Sequence, residues 1–244
     1  MTTTISSPQN AHVKQIRRLA TRRERARTGL FAAEGEDLVR AAEAAGRRAV
    51  FGLRAADCEG CGADFAPAAP AALAAASSLG SSTRVIGVYE QRWAELTGPR
   101  CVYLHAVADP GNVGTVLRGA TAFGVDCVAL GPGCADPHGP KAVRASMGAI
   151  FAVNLARAGD PGALPGRTVA LSAAAGEELA AAVRGARELT LLVGAERGGL
   201  PAALADGCER TARIAIRGDS LNAAMAATVA MYEATRESFR VPGA

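Results

Sequence analysis

From Cys101 onward short apolar runs alternate with helical segments, and this rhythm restricts the fold more than any other feature of the chain. Val102–Ala106, Val125–Leu130, Thr168–Leu171, Leu189–Val193 and Arg213–Ile216 read as strands, with residues 151–155 as a further short one. Helical spacing covers Val113–Phe123, Lys141–Ala149, Glu177–Val183, a short stretch from Pro201, and Leu221–Phe239. Strands apolar on both faces need cover on both sides, so the expectation is an α/β fold with a mostly parallel sheet. Ahead of this lies a smaller α/β region. It has one basic helix over residues 11–28 closed by Gly29, strands at Phe31–Glu34, Ala49–Leu53 and Val85–Tyr89, and helices at Asp37–Ala45 and Ala69–Ala76. The expected division is a domain over 1–92, a linker over 93–100 and a domain over 101–244.

Three loops, each past the end of a strand, hold the residues that core packing does not explain. Ligands bind outside the carboxyl ends of parallel strands, so their placement has chemical meaning. The first runs from Asp109 through Asn112-Val113-Gly114-Thr115 to Arg118, where Asn112 sits at a cap position and Arg118 follows on the helix among apolar neighbours. The second is Val193-Gly194-Ala195-Glu196-Arg197-Gly198-Gly199-Leu200, a buried strand entering a glycine-rich turn with one carboxylate. The third is Ile214-Ala215-Ile216-Arg217-Gly218-Asp219-Ser220-Leu221-Asn222-Ala223-Ala224, where Ser220 can cap the last helix. Neither the dinucleotide fingerprint GxGxxG nor the phosphate loop GxxxxGK[ST] occurs, which argues against a nicotinamide enzyme.

Charge is the second informative feature. The whole chain carries +4, yet Lys14, Arg17, Arg18, Arg22, Arg23, Arg25 and Arg27 oppose only Glu24 within the first thirty residues. A polyanion gripped at that end is the natural partner. Cys58 and Cys61 form a lone CxxC without further ligands at zinc-site spacing, so no metal is expected. No apolar run approaches the ~20 residues of a membrane span, and the opening residues lack the pattern of a secretory signal. The expected setting is the cytoplasm.

Taken together, the three loops resemble the three motifs of the SpoU (TrmH-like) branch of the SPOUT RNA methyltransferases. Asn112 to Arg118 is similar to the NxGxxxR motif, Gly194 to Leu200 to the GxExxG motif, and Ser220-Leu221-Asn222-Ala223-Ala224 to the SLN motif. Arg144-Ala145-Ser146-Met147-Gly148 resembles the family's RAS-x-G helix. Ser7-Pro8-Gln9-Asn10, Lys14, the basic run and Phe31-Ala32-Ala33-Glu34-Gly35 resemble the family's ribosomal-protein L30e-like substrate-binding domain. The loop before Ser220 is shorter than the family's by about two residues, and Ala215 replaces its proline.

The resemblance implies a C-terminal α/β-knot (a deep trefoil knot), a homodimer, and S-adenosyl-L-methionine held by Gly194, Ile214 and Leu221 with Ser172, Val193 and Ile216. It implies transfer of a methyl group to an RNA ribose 2′-hydroxyl. Arg118 would stabilise developing oxyanion character and orient a phosphate, because a guanidinium with a pKa above ~12 is a poor proton acceptor. Asn112, Glu196, Ser220 and Asn222 would shape that centre. Asn10, Lys14, Arg17, Arg18, Arg22 and Arg23 would contact structured RNA. Ribosomal RNA (23S) is the first expectation and transfer RNA the alternative, with a noncatalytic RNA-binding protein as the rival class.

Overall fold

The computed structural model describes residues 4–58, 61–78, 83–159, 162, 164–218 and 220–236. Its packing divides into two units, Met1–Gln91 with Asp136–Ala152, and Arg92–Ala135 with Val153–Ala244.

The first unit opens with α1 (Ala11–Leu19) and α2 (Arg22–Thr28), followed by β1 (Leu30–Glu34), α3 (Glu36–Ala44), β2 (Phe51–Arg54), β3 (Phe65–Pro67), α4 (Pro70–Ala76) and β4 (Val85–Glu90). The sheet order is β1-β4-β2-β3. Val13, Ile16 and Leu19 of α1 pack with Leu73 of α4 on Leu53, Ile86 and Val88. Strand β3 falls in a stretch where the sequence shows no clear pattern.

The single basic helix expected over 11–28 is two helices. Thr21 breaks it, its hydroxyl accepting from the Glu24 N–H at 3.3 Å, the start of a Thr-x-x-Glu capping pattern. Arg25 secures the break. Its guanidinium, 4% exposed, donates to the carbonyls of Leu19 (2.8 Å) and Ala20 (2.9 Å) and pairs with Asp136 at 2.7 Å. Gly29 closes α2 at φ 68°, as expected.

The second unit begins with β5 (Arg100–Leu104), α5 (Pro110–Ala122) and β6 (Cys127–Leu130). The chain then enters the first unit with α6 (Pro140–Ala145) and a 3₁₀ turn at Ala149–Phe151 before returning. Thus residues 136–152, expected within the second domain, pack elsewhere. The Arg25–Asp136 pair, the Phe31 ring 4.9 Å from His138 and 5.7 Å from Phe151, and Gly148 pressed against Ala41 hold the excursion in place. The helix expected to reach Ala149 stops at Ala145, because Met147 (φ 49°) and Gly148 (φ 92°) leave helical geometry. Residues 93–100, expected as the linker, pack with the second unit, as does Arg92, and Trp93 lies under the Arg157 guanidinium at 4.1 Å.

After β7 (Asn154–Arg157) come β8 (Arg167–Leu171), β9 (Glu177–Glu178), α7 (Leu179–Val183), β10 (Leu189–Val193), α8 (Ala202–Asp206), β11 (Arg210–Arg213) and α9 (Ala223–Thr235). The sheet order is β7-β6-β5-β10-β8-β11-β9, and its pairings are parallel. The expected parallel α/β architecture is therefore present. One strand is displaced from its expected position: Arg210-Thr211-Ala212 pair with Val169-Ala170-Leu171, so β11 ends where the Ile-Ala-Ile run begins. Alternation alone points to that run as the strand. Helix α9 begins at Ala223, and residues 237–239 of its expected span lie outside the described residues.

Candidate active site

Within the second unit the carboxyl ends of β8, β10 and β11 open onto one cavity of about 310 Å³. Ser172, Val193, Gly194, Ile214, Ile216 and Leu221 line it, together with Glu196 and Ser220. Each arrives for a local reason. Because β11 stops at Arg213, Ile214 and Ile216 fall beyond the strand end and face the cavity rather than the sheet core. Past β10, the chain turns back at Ala195 and Gly199, which exchange backbone hydrogen bonds at 3.2 and 2.9 Å. That turn lays the Gly199–Leu200 backbone against Gly194, where a Cβ would collide with it. Glycine is needed at 194 for this close approach. Ser172 is anchored by its N–H to the Ala212 carbonyl at 2.9 Å. Asp219 lies outside the described residues, but Ser220 still reaches the cavity despite the short loop.

A chain of side-chain amides leads to the cavity carboxylate. Asn222 caps α9, accepting from the N–H groups of Ala224 (2.9 Å) and Met225 (3.3 Å). Its Nδ2 donates to Asn112 Oδ1 at 3.1 Å, and Asn112 Nδ2 donates to Glu196 Oε1. The direction of both amides is set by the backbone donors at the start of α9, which leave Asn222 Oδ1 only one orientation. Sequence reasoning placed Asn112 at the cap of α5, but Asp109 holds that position, accepting from Gly111 at 2.6 Å and Asn112 at 3.1 Å. The Asp-Pro pair, with proline at the first helical position, was the available signal. Likewise Asn222, not Ser220, caps α9.

Arg118 stands apart from the cavity lining. Of the apolar neighbours expected to enclose it, Val116, Leu117 and Ala120 are turned into the core and Phe123 is half-buried, while Arg118 itself is exposed on α5. It lies six residues beyond Asn112, about 9 Å along the helix axis.

In the first unit, Lys14, Arg17 and Arg18 on α1 and Arg22 and Arg23 on α2 are exposed. Asn10 is engaged as the cap of α1, its Oδ1 accepting from the His12 N–H at 2.9 Å. Arg25 is internal, and Arg27 pairs with Glu24, whose carboxyl this contact holds below its usual range. The seven basic residues of the N-terminal run therefore do not act alike.

Cys58 and Cys61 place their sulfurs 3.7 Å apart, and burial together with Cys58 pushes the Cys61 thiol up to about 11. Among the described residues no group of His, Cys, Asp or Glu is placed to hold a metal ion, and no helix is long and apolar enough to cross a membrane.

Residues 99–232 match the model of the SpoU rRNA Methylase family. The chain belongs to this family. Residues 10–98 match the MRM3-like substrate binding domain, the second module of this SpoU protein. The 23S rRNA (guanosine(2553)-2′-O)-methyltransferase of Bacillus subtilis is 30% identical over 93% of this chain and 97% of its own length. An uncharacterised tRNA/rRNA methyltransferase of Mycobacterium tuberculosis is 42% identical over 61% of this chain, and the match spans only 56% of that protein. The crystal structure of an AdoMet-bound rRNA methyltransferase from Sinorhizobium meliloti superimposes with a TM-score of 0.86 at 31% identity, covering 98% of this SpoU chain and 99% of that one.

Proposed function

We propose that the chain is an S-adenosyl-L-methionine-dependent RNA 2′-O-ribose methyltransferase acting on ribosomal RNA. The observation that carries this reading is the gathering of Ser172, Gly194, Ile214 and Leu221, distant in sequence, around one cavity. The cavity suits the donor. Val193, Ile214, Ile216 and Leu221 offer apolar walls to an adenine, and the Gly194 backbone is bare of side-chain cover. The match to an AdoMet-bound structure supports the same assignment.

When bound, the donor supplies an electrophilic methyl group. The chain must orient a weakly acidic ribose hydroxyl, receive its proton and hold the adjoining phosphate. The Asn222–Asn112–Glu196 chain fixes one carboxylate oxygen at the cavity, leaving Glu196 Oε2 without a hydrogen bond among the described residues and able to accept from that hydroxyl. Arg118 carries a permanent charge and a planar fork suited to phosphate and to developing oxyanion charge. Its exposure on α5 fits a contact with RNA rather than with the donor. Positioning of this kind supplies a large part of a rate enhancement.

The reading includes a homodimer formed through α9. Met225, Val229 and Tyr232 are 58%, 40% and 51% exposed and share one face at helical spacing. It includes the C-terminal trefoil knot, with β10 inserted between β5 and β8, and a cytoplasmic setting. Exposed Lys14, Arg17, Arg18, Arg22 and Arg23 serve RNA phosphates. Ribosomal rather than transfer RNA is favoured by the Bacillus subtilis relative, which matches along both domains.

The test is transfer of a labelled methyl group to purified ribosomal and transfer RNA, followed by mapping of the modified nucleotide. A ribose-methylated position in ribosomal RNA is expected. Arg118→Ala is expected to lower kcat by roughly 100-fold or more while donor affinity is kept. Modification of a base, or of transfer RNA alone, would overturn the assignment.

A further inference from the structure

The RAS-x-G stretch is not part of the cavity lining described above, and its segment packs in the first unit. There it helps to form a second cavity, about 500 Å³ in volume. Asp37 and Arg40 of α3, Arg84 just before β4, and Arg144 and Met147 from the excursion line it, with Leu38 beneath them. The size falls within the ordinary range for small-ligand sites, ~300–1,000 Å³.

Its charged groups divide into two sets. Glu34 is consumed by Ser77 Oγ (2.6 Å), the Ser78 N–H (2.9 Å) and Ser78 Oγ (2.6 Å). Arg84 is held by Glu36 at 3.5 Å and Asp57 at 3.2 Å. Asp37, Arg40 and Arg144 make no ion pair or side-chain hydrogen bond among the described residues, and all three are exposed. Two free guanidiniums and one free carboxylate thus face the same space. Met147, 52% exposed, is held there by a backbone at φ 49°, a conformation that non-glycine residues seldom adopt.

We propose that this cavity receives one unpaired nucleotide of the RNA substrate. A simple anion site does not suit a lining with a free carboxylate. A nucleotide satisfies both signs: Arg40 and Arg144 take the phosphate, and Asp37 accepts from the base. A carboxylate selects a base with an exocyclic amine. Uracil's ring N–H lies between two carbonyl oxygens that repel it. Met147 supplies apolar surface for the base face, and unpaired nucleotides are the part of structured RNA that proteins read by sequence.

This inference rests on the RNA-methyltransferase reading, and the experiment separates the two. The full chain is titrated with two RNA hairpins of identical stem, one with a loop of adenosines and one with a loop of uridines. Donor binding is measured on the same preparations, and circular dichroism reports folding. Wild type is expected to favour the adenosine loop by about tenfold, a preference that Asp37→Ala abolishes. Arg40→Ala and Arg144→Ala are expected to weaken both hairpins and to lower the salt slope by about one each. These exposed side chains can be removed without opening the core, and donor binding stays at the wild-type value. Wild-type RNA affinity in folded Arg40→Ala and Arg144→Ala chains that still bind donor would overturn the cavity alone. Hairpin differences as expected, in a chain that binds no donor, would uphold the cavity and strike down the enzymatic reading.

Discussion

The two units present their working surfaces in different materials. In the second, the cavity is built largely from main chain and apolar side chains at the ends of parallel strands, with a few amides fixing one carboxylate. In the first, the candidate RNA surface consists of long cationic side chains on α1 and α2 and a cavity edged by exposed arginines. A surface of the first kind is fixed by topology and tolerates little change. One of the second kind depends on the number and freedom of its charges. Substitutions in the second unit should therefore act abruptly at single positions, whereas those in the first should act gradually, with one exception.

That exception gives the largest expected effect. Arg25 belongs to the basic run by sequence but to the interior by structure, so Arg25→Ala takes the partner from Asp136 Oδ2 and from two helix-end carbonyls. A loss of roughly 3–5 kcal/mol of stability is expected from urea unfolding. A change below ~1 kcal/mol would mean that Arg25 is one more surface cation. Next is Gly194→Val, whose side chain must displace the Gly199–Leu200 backbone. Calorimetric affinity for S-adenosyl-L-methionine should fall on the order of 100-fold, about 2.7 kcal/mol, with RNA binding retained. Replacing Arg17, Arg18, Arg22 and Arg23 together by glutamine should do the reverse. The slope of log affinity against log salt should fall by about three while donor binding holds. Equal loss of both affinities would erase the contrast between the units.

Smaller effects refine the picture. Asn222→Ala removes the cap of α9 and the donor to Asn112, so thermal or urea unfolding should show a loss of about 1 kcal/mol. Its effect on methyl transfer should exceed that on donor affinity. Smallest is the reactivity of Cys61. Its raised pKa leaves little thiolate at neutral pH, so alkylation should be slow at pH 7 and accelerate as pH approaches about 11. Rapid modification at pH 7 would show that its surroundings are more open.

How much of this was legible in the sequence follows the same division. The parallel sheet was legible because β5, β6 and β10 are apolar on both faces and separated by helices. Gly194, Ile214 and Leu221 were legible because the resemblance assigned them by motif, and the structure places them on one cavity with Ser172, Val193 and Ile216. The exact ends of elements were not. Ile214-Ala215-Ile216 has the alternation of a strand, yet the edge of β8 is paired by Arg210-Thr211-Ala212, and no local pattern reports which segment wins that pairing. The break at Thr21 was written in the Thr-x-x-Glu spacing but hidden by continuous helix-favouring arginines. Least legible was the excursion of residues 136–152, whose place depends on a pairing between Arg25 and Asp136, 111 residues apart. Charge counting treated Arg25 as surface for the same reason.

The central claim is that the segments following β8, β10 and β11, distant in sequence, make one pocket for a methyl donor. A crystal structure of the chain with S-adenosyl-L-methionine tests it most directly. The account expects the adenine against Ile214 and Leu221, with the Gly194 backbone at its edge and the methyl group directed toward Glu196. Donor bound elsewhere, or none at saturating concentration in a folded chain, would contradict it.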